Sequence, residues 1–220
     1  KGVKLYEIGK IYLPKDGEKL PDEPKRMIFG TYGEHETFFT MKGEIDALLQ
    51  LLNVKPAEYV ANRENPSYHP GRCADILIDG KLAGTIGQIH PLVAEAYGIG
   101  GEVYVADLDF TTIEASLAEE RVFHSLPRFP AVTRDLALVC DESLTVGELE
   151  RCISAAAGKL LRKINLFDIY RGPGVAAGKK SVAFSLELRA DDRTLTDEDS
   201  TGVVDRVLKA LKEEKDVTLR

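Results

Sequence analysis

The succession of apolar periods along the last ninety residues constrains this chain more than any other feature. Asp135–Cys140 places Leu136, Leu138 and Cys140 on one side, the alternation of a half-buried strand. Thr145, with Glu148 three residues on, has the form of a capping box. Val146, Leu149, Ile153 and Ala156 then recur at helical spacing until Gly158, a residue type that ends helices. Leu161–Tyr170 and Ser181–Arg189 alternate again, as two more strands. Thr196 and Asp199 open a second helix with the stripe Val203, Val207, Leu208 and Leu211, and Val217–Leu219 makes a short closing strand. The order β-α-β-β-α-β predicts a ferredoxin-like arrangement. Both helices then lie on one face of the sheet, and the other face is free.

The period of two assigns side chains to that free face. In the second strand Phe167 and Ile169 are expected to face the helices, which turns Asp168 and Tyr170 outward. In the third, Val182, Phe184, Leu186 and Leu188 are the inward set, leaving Ser181, Ala183, Ser185 and Glu187 outside. Ala137 is the outward residue between Leu136 and Leu138. A ring, a carboxylate, a hydroxyl and small neighbours suit an unpaired nucleotide, because the ring can stack on a base and the carboxylate can accept from a guanine edge. An ordinary solvated sheet face with a packed tyrosine fits the same pattern.

Charge bears on this reading. The net charge of −7 argues against nucleic acid, but residues 1–120 carry 12 basic and 20 acidic side chains, and residues 121–220 carry 17 and 16. Within 159–180, Lys159, Arg162, Lys163, Arg171, Lys179 and Lys180 stand against the single acid Asp168. A local basic patch can hold a phosphate backbone on an acidic chain; a solvated charged surface would look alike. Lys163, Arg171, Lys179 and Lys180 are the candidates for backbone contacts.

The first half reads as a second α+β domain. Strands are expected at Val3–Leu13, Arg26–Tyr32, Ala57–Ala61, Cys73–Ile78, Leu82–Ile89 and Glu102–Phe110. Pro14–Pro24 reads as a loop, Thr40–Leu52 as a helix, and Pro91–Tyr97 as a helix opened by its proline. Asp79-Gly80-Lys81 between alternating segments signals a hairpin. His69, Cys73 and His90 do not match a zinc spacing; His, Pro and Gly in these strings are better read as turn formers. Gly98-Ile99-Gly100-Gly101 lacks the form of a phosphate loop, and no catalytic constellation is visible. Ala118–Ala131, with Pro127 and Pro130, reads as a linker between domains 1–117 and 132–220. No run of 18 apolar residues occurs, so no membrane span is expected, and no signal segment is visible. Three scattered cysteines point to a reducing, cytoplasmic setting. A start at Lys1, within a strand-like pattern, reads as an excised fragment.

Several strings resemble a known family in this order and spacing: Leu126-Pro127-Arg128-Phe129-Pro130, Arg134-Asp135-Leu136-Ala137, Phe167-Asp168-Ile169-Tyr170-Arg171-Gly172, Lys179-Lys180-Ser181, Thr194-Leu195-Thr196-Asp197-Glu198 and Leu219-Arg220. Together they resemble the ferredoxin-fold anticodon-binding domain of the phenylalanyl-tRNA synthetase β subunit. Leu5-Tyr6-Glu7-Ile8-Gly9, His69-Pro70-Gly71-Arg72 and Gly87-Gln88-Ile89-His90-Pro91 resemble the catalytic-like module before it. The resemblance implies a class II synthetase-like antiparallel sheet without a working active site, packed on the α subunit of an (αβ)₂ heterotetramer. It implies that ATP and Mg²⁺ belong to the parent complex, with no cofactor in this fragment. It also implies that Asp168, Tyr170, Ser181 and Ala137 contact the first anticodon base of phenylalanine tRNA. Gln88 departs from the glutamate common at its position. An amino-acid regulatory module and a purely structural interaction module are the alternatives.

Overall fold

The computed structural model describes residues 2–118 and 126–220. Residues 119–125 of the expected linker lie outside the described residues. The chain divides into two compact units, Lys1–Val122 and Phe123–Arg220, and both are α+β.

The first unit is a six-stranded antiparallel sheet. In chain order its strands are β1 (Val3–Lys10), β2 (Lys25–Tyr32), β3 (Ala57–Ala61), β4 (Tyr68–Ile78), β5 (Lys81–Ile89) and β6 (Val103–Asp109), and in space they run β1-β2-β6-β5-β4-β3. Helix α1 (Phe38–Leu51) buries Met41, Ile45 and Leu49 against it, the stripe that i, i+4, i+8 spacing predicts. Thr37 and Thr40 form a reciprocal cap at its start. The β4–β5 hairpin turns on Asp79 and Gly80, at φ 51° and 73°, the two positive angles that a two-residue turn of this kind needs. Helix α2 (Pro91–Ala96) starts at the expected proline. The sequence reading missed α3 (Phe110–Ala115). Its signal is local: Asp109 ends β6 and accepts from the backbone N–H groups of Thr111 and Thr112, which is how an aspartate opens a helix.

The second unit has the predicted order. Strand β7 (Val132–Asp141), helix α4 (Val146–Ala157), strands β8 (Leu161–Tyr170) and β9 (Lys179–Leu188), helix α5 (Asp197–Lys215) and strand β10 (Thr218–Leu219) follow one another. The sheet order is β10-β7-β9-β8, with every neighbouring pair antiparallel. Both helices open on complete capping boxes, Thr145 with Glu148 and Thr196 with Asp199, and α4 stops at Gly158, φ 65°. One core joins the sheet to both helices: Leu136, Leu138, Val182, Phe184, Leu186 and Leu188 meet Leu149, Ile153, Val203, Val207 and Leu211.

The expected alternation fails at Phe167 in β8. Phe167 is 55% exposed and Ile169 36%, not buried as the reading of Phe167 and Ile169 required. The register shows the cause. Leu166 pairs with Phe184 and Asp168 with Ala183, so Phe167 is an extra residue in a β-bulge, which interrupts the period. Because of that bulge, Ile164, Leu166 and Ile169 can all pair opposite inward residues of β9, while Asp168 and Tyr170 pair opposite outward ones.

Candidate nucleic-acid interface

The registers assemble the site as two rows across the helix-free face of the second unit. In one row Thr218, Val139, Ser181 and Tyr170 lie side by side across all four strands. In the next row Ala137, Ala183 and Asp168 cross β7, β9 and β8. Arg220 continues this second row beyond β10, with its backbone N–H donating to the Ala137 carbonyl at 2.8 Å. The four residues singled out from the sequence therefore share one face and two adjacent rows. Ala137 and Ala183 make a floor with little relief, Asp168 stands exposed at the β8 end, and Tyr170 is beside it.

Arg220 was absent from the predicted set. Its guanidinium carbon lies 5.0 Å from the centroid of the Tyr170 ring, inside cation–π range. The two residues start from opposite edges of the sheet, about 14 Å apart at three strand spacings. Arg220 reaches across the sheet to the ring, beside the loop that follows β8. Ser181 and Ala183 belong to the helix-free face yet are only 3% and 8% exposed. Alternation carried one residue past Leu219 would have found Arg220, since Thr218 and Arg220 share a face.

The loop after β8 fits closely around the ring. The Tyr170 hydroxyl donates to the Pro173 carbonyl at 3.3 Å. A Cβ on Gly172 would fall 2.6 Å from that hydroxyl oxygen, so any larger residue here pushes the ring aside. Gly174 and Gly178 have φ of 90° and 77°, angles that glycine adopts without steric cost.

The basic candidates divide. Lys163 is exposed and pairs opposite Glu187 on the helix-free face. Arg171 makes an ion pair with Glu142 at 2.7 Å, and Lys179 one with Asp141 at 3.0 Å. These exposed pairs leave both cations at the surface, and such pairs are weak. Lys180 is a correction. It pairs opposite Cys140, on the inward register, is buried, and its Nζ donates to the Glu142 carbonyl at 2.9 Å. Its ammonium is withdrawn from the rim.

In the first unit the conspicuous strings shape strand ends. His69 Nδ1 accepts from the Gly71 N–H and His90 Nδ1 from the Leu92 N–H. A Cβ on Gly87 would lie 2.7 Å from the Arg72 carbonyl, at the irregular pairing between Tyr68 and Cys73. Gln88, the departing position, is buried and accepts from Arg72 Nη1 at 2.6 Å. The same Nη1 reaches Glu102 at 2.8 Å. Hydrogen bonds from Tyr104 and from Arg72 hold the Glu102 carboxyl below its ordinary range. Cys73 is buried, and burial pushes its thiol up to about 11. Among the described residues no group of three His, Cys, Asp or Glu side chains is placed to hold a metal.

The second unit is of the ferredoxin-fold class, and comparison places it more narrowly: the ferredoxin-fold anticodon binding domain matches residues 127–220. The phenylalanyl tRNA synthetase beta chain CLM domain matches residues 1–110. The chain belongs to the phenylalanyl-tRNA synthetase β-chain family. Among its relatives, the phenylalanine–tRNA ligase beta subunit of Clostridium acetobutylicum is 38% identical over 96% of this chain and 26% of its own length. Those of Bacillus subtilis and Symbiobacterium thermophilum are 40% and 42% identical, over 99% and 94% of this chain and 28% and 24% of their own lengths. The chain thus spans about a quarter of the length of the curated relatives it matches.

Proposed function

We propose that this chain is the part of a phenylalanine–tRNA ligase β subunit that reads the anticodon of phenylalanine tRNA, working in the cytoplasm. The observation that carries the reading is the convergence of Asp168, Tyr170, Ser181 and Ala137 on one helix-free sheet face. Tyr170 offers a ring for stacking, the alanine floor admits a flat base, and Asp168 accepts from the N–H groups on a guanine edge. Arg220 completes the site. It covers the ring in the unliganded chain and moves onto the outer face of a base that enters, so the base is held between ring and guanidinium.

Phenylalanine activation with ATP and Mg²⁺ belongs, in this reading, to the α subunit of an (αβ)₂ heterotetramer. The first unit serves association with that subunit. Strand β1 supports this role: it is an edge strand exposed along its whole length, and Leu5 and Tyr6 are exposed on it. Exposed apolar surface of this kind marks interaction sites.

The test is binding of the chain to phenylalanine tRNA and to a version with its first anticodon base changed, at one stated salt concentration. The native tRNA is expected to bind tighter. Equal affinity for both removes the anticodon role.

A further inference from the structure

We propose that a second RNA contact lies at the other end of the same sheet: a cavity walled by three arginines that seats a backbone phosphate of the bound tRNA. The proposal rests on the reading that this unit binds tRNA. The cavity has a volume of about 640 Å³ and is lined by Arg128, Arg162, Arg189 and Asp191 together with the neighbouring apolar residues. Three separate segments contribute the arginines: the approach to β7, the start of β8 and the exit from β9.

Each arginine is placed by the fold. Arg162 is the extra residue of a bulge, since Leu161 pairs with Leu188 and Lys163 with Glu187. A bulge re-aims the side chain it carries. Its Nε donates to the Arg189 carbonyl at 3.2 Å and its Nη2 lies 2.7 Å from Asp191. Arg189 is less well satisfied. Its side chain is 22% exposed, and its contact to Glu187 is 3.8 Å, beyond hydrogen-bonding distance. Its Nε is sealed from solvent with no hydrogen-bond partner among the described residues. A buried donor without a partner is uncommon and calls for an explanation.

The chemistry is that of an oxyanion. Three guanidinium groups are permanently charged and present planar forks that match phosphate oxygens. Among the described residues the acids paired with these arginines are Asp191, which is 85% exposed, and Glu187, 3.8 Å from Arg189. Arg162 and Tyr170 lie on the same strand, so the cavity and the base site are about 27 Å apart at the rise of an extended chain. That span corresponds to several nucleotides of one RNA. Exposed Lys163 stands on β8 between them. Asp191 and Leu126, at the cavity wall, are strongly exposed, so a polymer can reach it.

The experiment titrates the chain with phenylalanine tRNA and with its anticodon-base variant between about 50 and 200 mM salt. The proteins are the unaltered chain, Arg128→Gln, Arg128→Lys, Arg189→Gln and Tyr170→Ala, with melting temperatures as a check on folding. Arg162 is left intact because it also holds Asp191 and the Arg189 carbonyl. Arg128→Gln and Arg189→Gln are expected to weaken both RNAs by the same factor. They should lower the slope of log affinity against log salt by about 0.7–0.9, the value of one phosphate contact. Arg128→Lys keeps the slope. Tyr170→Ala loses discrimination between the RNAs and keeps the slope. If both glutamine variants retain affinity and slope while the unaltered chain still discriminates, this proposal falls and the anticodon reading stands. If the unaltered chain binds both RNAs alike, the anticodon reading falls, and the arginine slopes alone decide this one. If inorganic phosphate raises the melting temperature through Arg128 and Arg189 while their RNA slopes are unchanged, the cavity takes free phosphate and the RNA contact is wrong.

Discussion

The guanidinium of Arg220 and the ring of Tyr170 lie 5.0 Å apart, although the two residues stand at opposite edges of one four-stranded sheet. The contact is made over the helix-free face, and it determines what an incoming base must displace. Arg220→Ala is therefore expected to weaken tRNA binding by roughly 0.5–2 kcal/mol, the range of a cation–π contact between exposed and desolvated settings. Arg220→Lys should recover part of the loss. An alanine variant that binds as well as the unaltered chain would show that the arginine is a bystander.

Tyr170→Ala removes the stacking surface itself. The expected loss is roughly 1–3 kcal/mol of tRNA affinity, the cost of one base stack. Tyr170→Phe should retain most of the affinity, because the hydroxyl bonds only to the loop carbonyl of Pro173 among the described residues. Titration of both variants against phenylalanine tRNA checks the pair. A phenylalanine variant as weak as the alanine one would mean that the hydroxyl, not the ring, makes the contact.

Gly172→Ala tests the loop. The added methyl would fall 2.6 Å from the Tyr170 hydroxyl oxygen and 2.9 Å from the adjoining ring carbon. The ring must shift, so tRNA affinity should fall toward that of Tyr170→Ala. The melting temperature should hardly change, because the loop is exposed. A large drop in melting temperature would refute the idea that this glycine serves the site rather than the fold.

Thr196→Ala tests the helix start. Thr196 Oγ1 accepts from the Asp199 N–H and Asp199 accepts from the Thr196 N–H, each at 3.1 Å. Loss of such a cap is expected to cost about 1 kcal/mol, which lowers the melting temperature by about 4–8 °C for a domain of this size. Thermal unfolding followed by circular dichroism gives the answer directly.

The cysteines give a pH-linked prediction. Cys73, Cys140 and Cys152 are all buried, and burial is the largest cause raising each thiol. The thiolate is the reactive form, so the folded chain should react slowly with a thiol reagent at pH 8, and the unfolded chain fully. For Cys73, raised from 9.0 to about 11, the folded state holds its proton more tightly than the unfolded one. Its contribution to stability is present below pH 9 and is lost as pH rises through 11. Fast labelling of three thiols in the native state would contradict the packing.

Much of this protein is set by neighbours along the chain, and that part was legible. The capping boxes at Thr145 and Thr196, the stop at Gly158, the Asp79–Gly80 turn and the helical stripes are local interactions within a few residues. They yield the β-α-β-β-α-β order and, with alternation, the outward direction of Asp168, Tyr170, Ser181 and Ala137. What the tertiary structure alone decided depends on pairing between distant segments. The bulge at Phe167 exists because β8 must match β9, and it exposes a ring that strict alternation had buried. Lys180, by contrast, has the parity of Val182 and Phe184, so alternation alone already turned it inward, and pairing with Cys140 agrees. Arg220 reaches Tyr170 only once β10 has docked on β7 and the sheet has brought its two edges within side-chain reach. The period of a strand is written in adjacent residues; its register, and hence which distant residues meet, is a property of the assembled sheet.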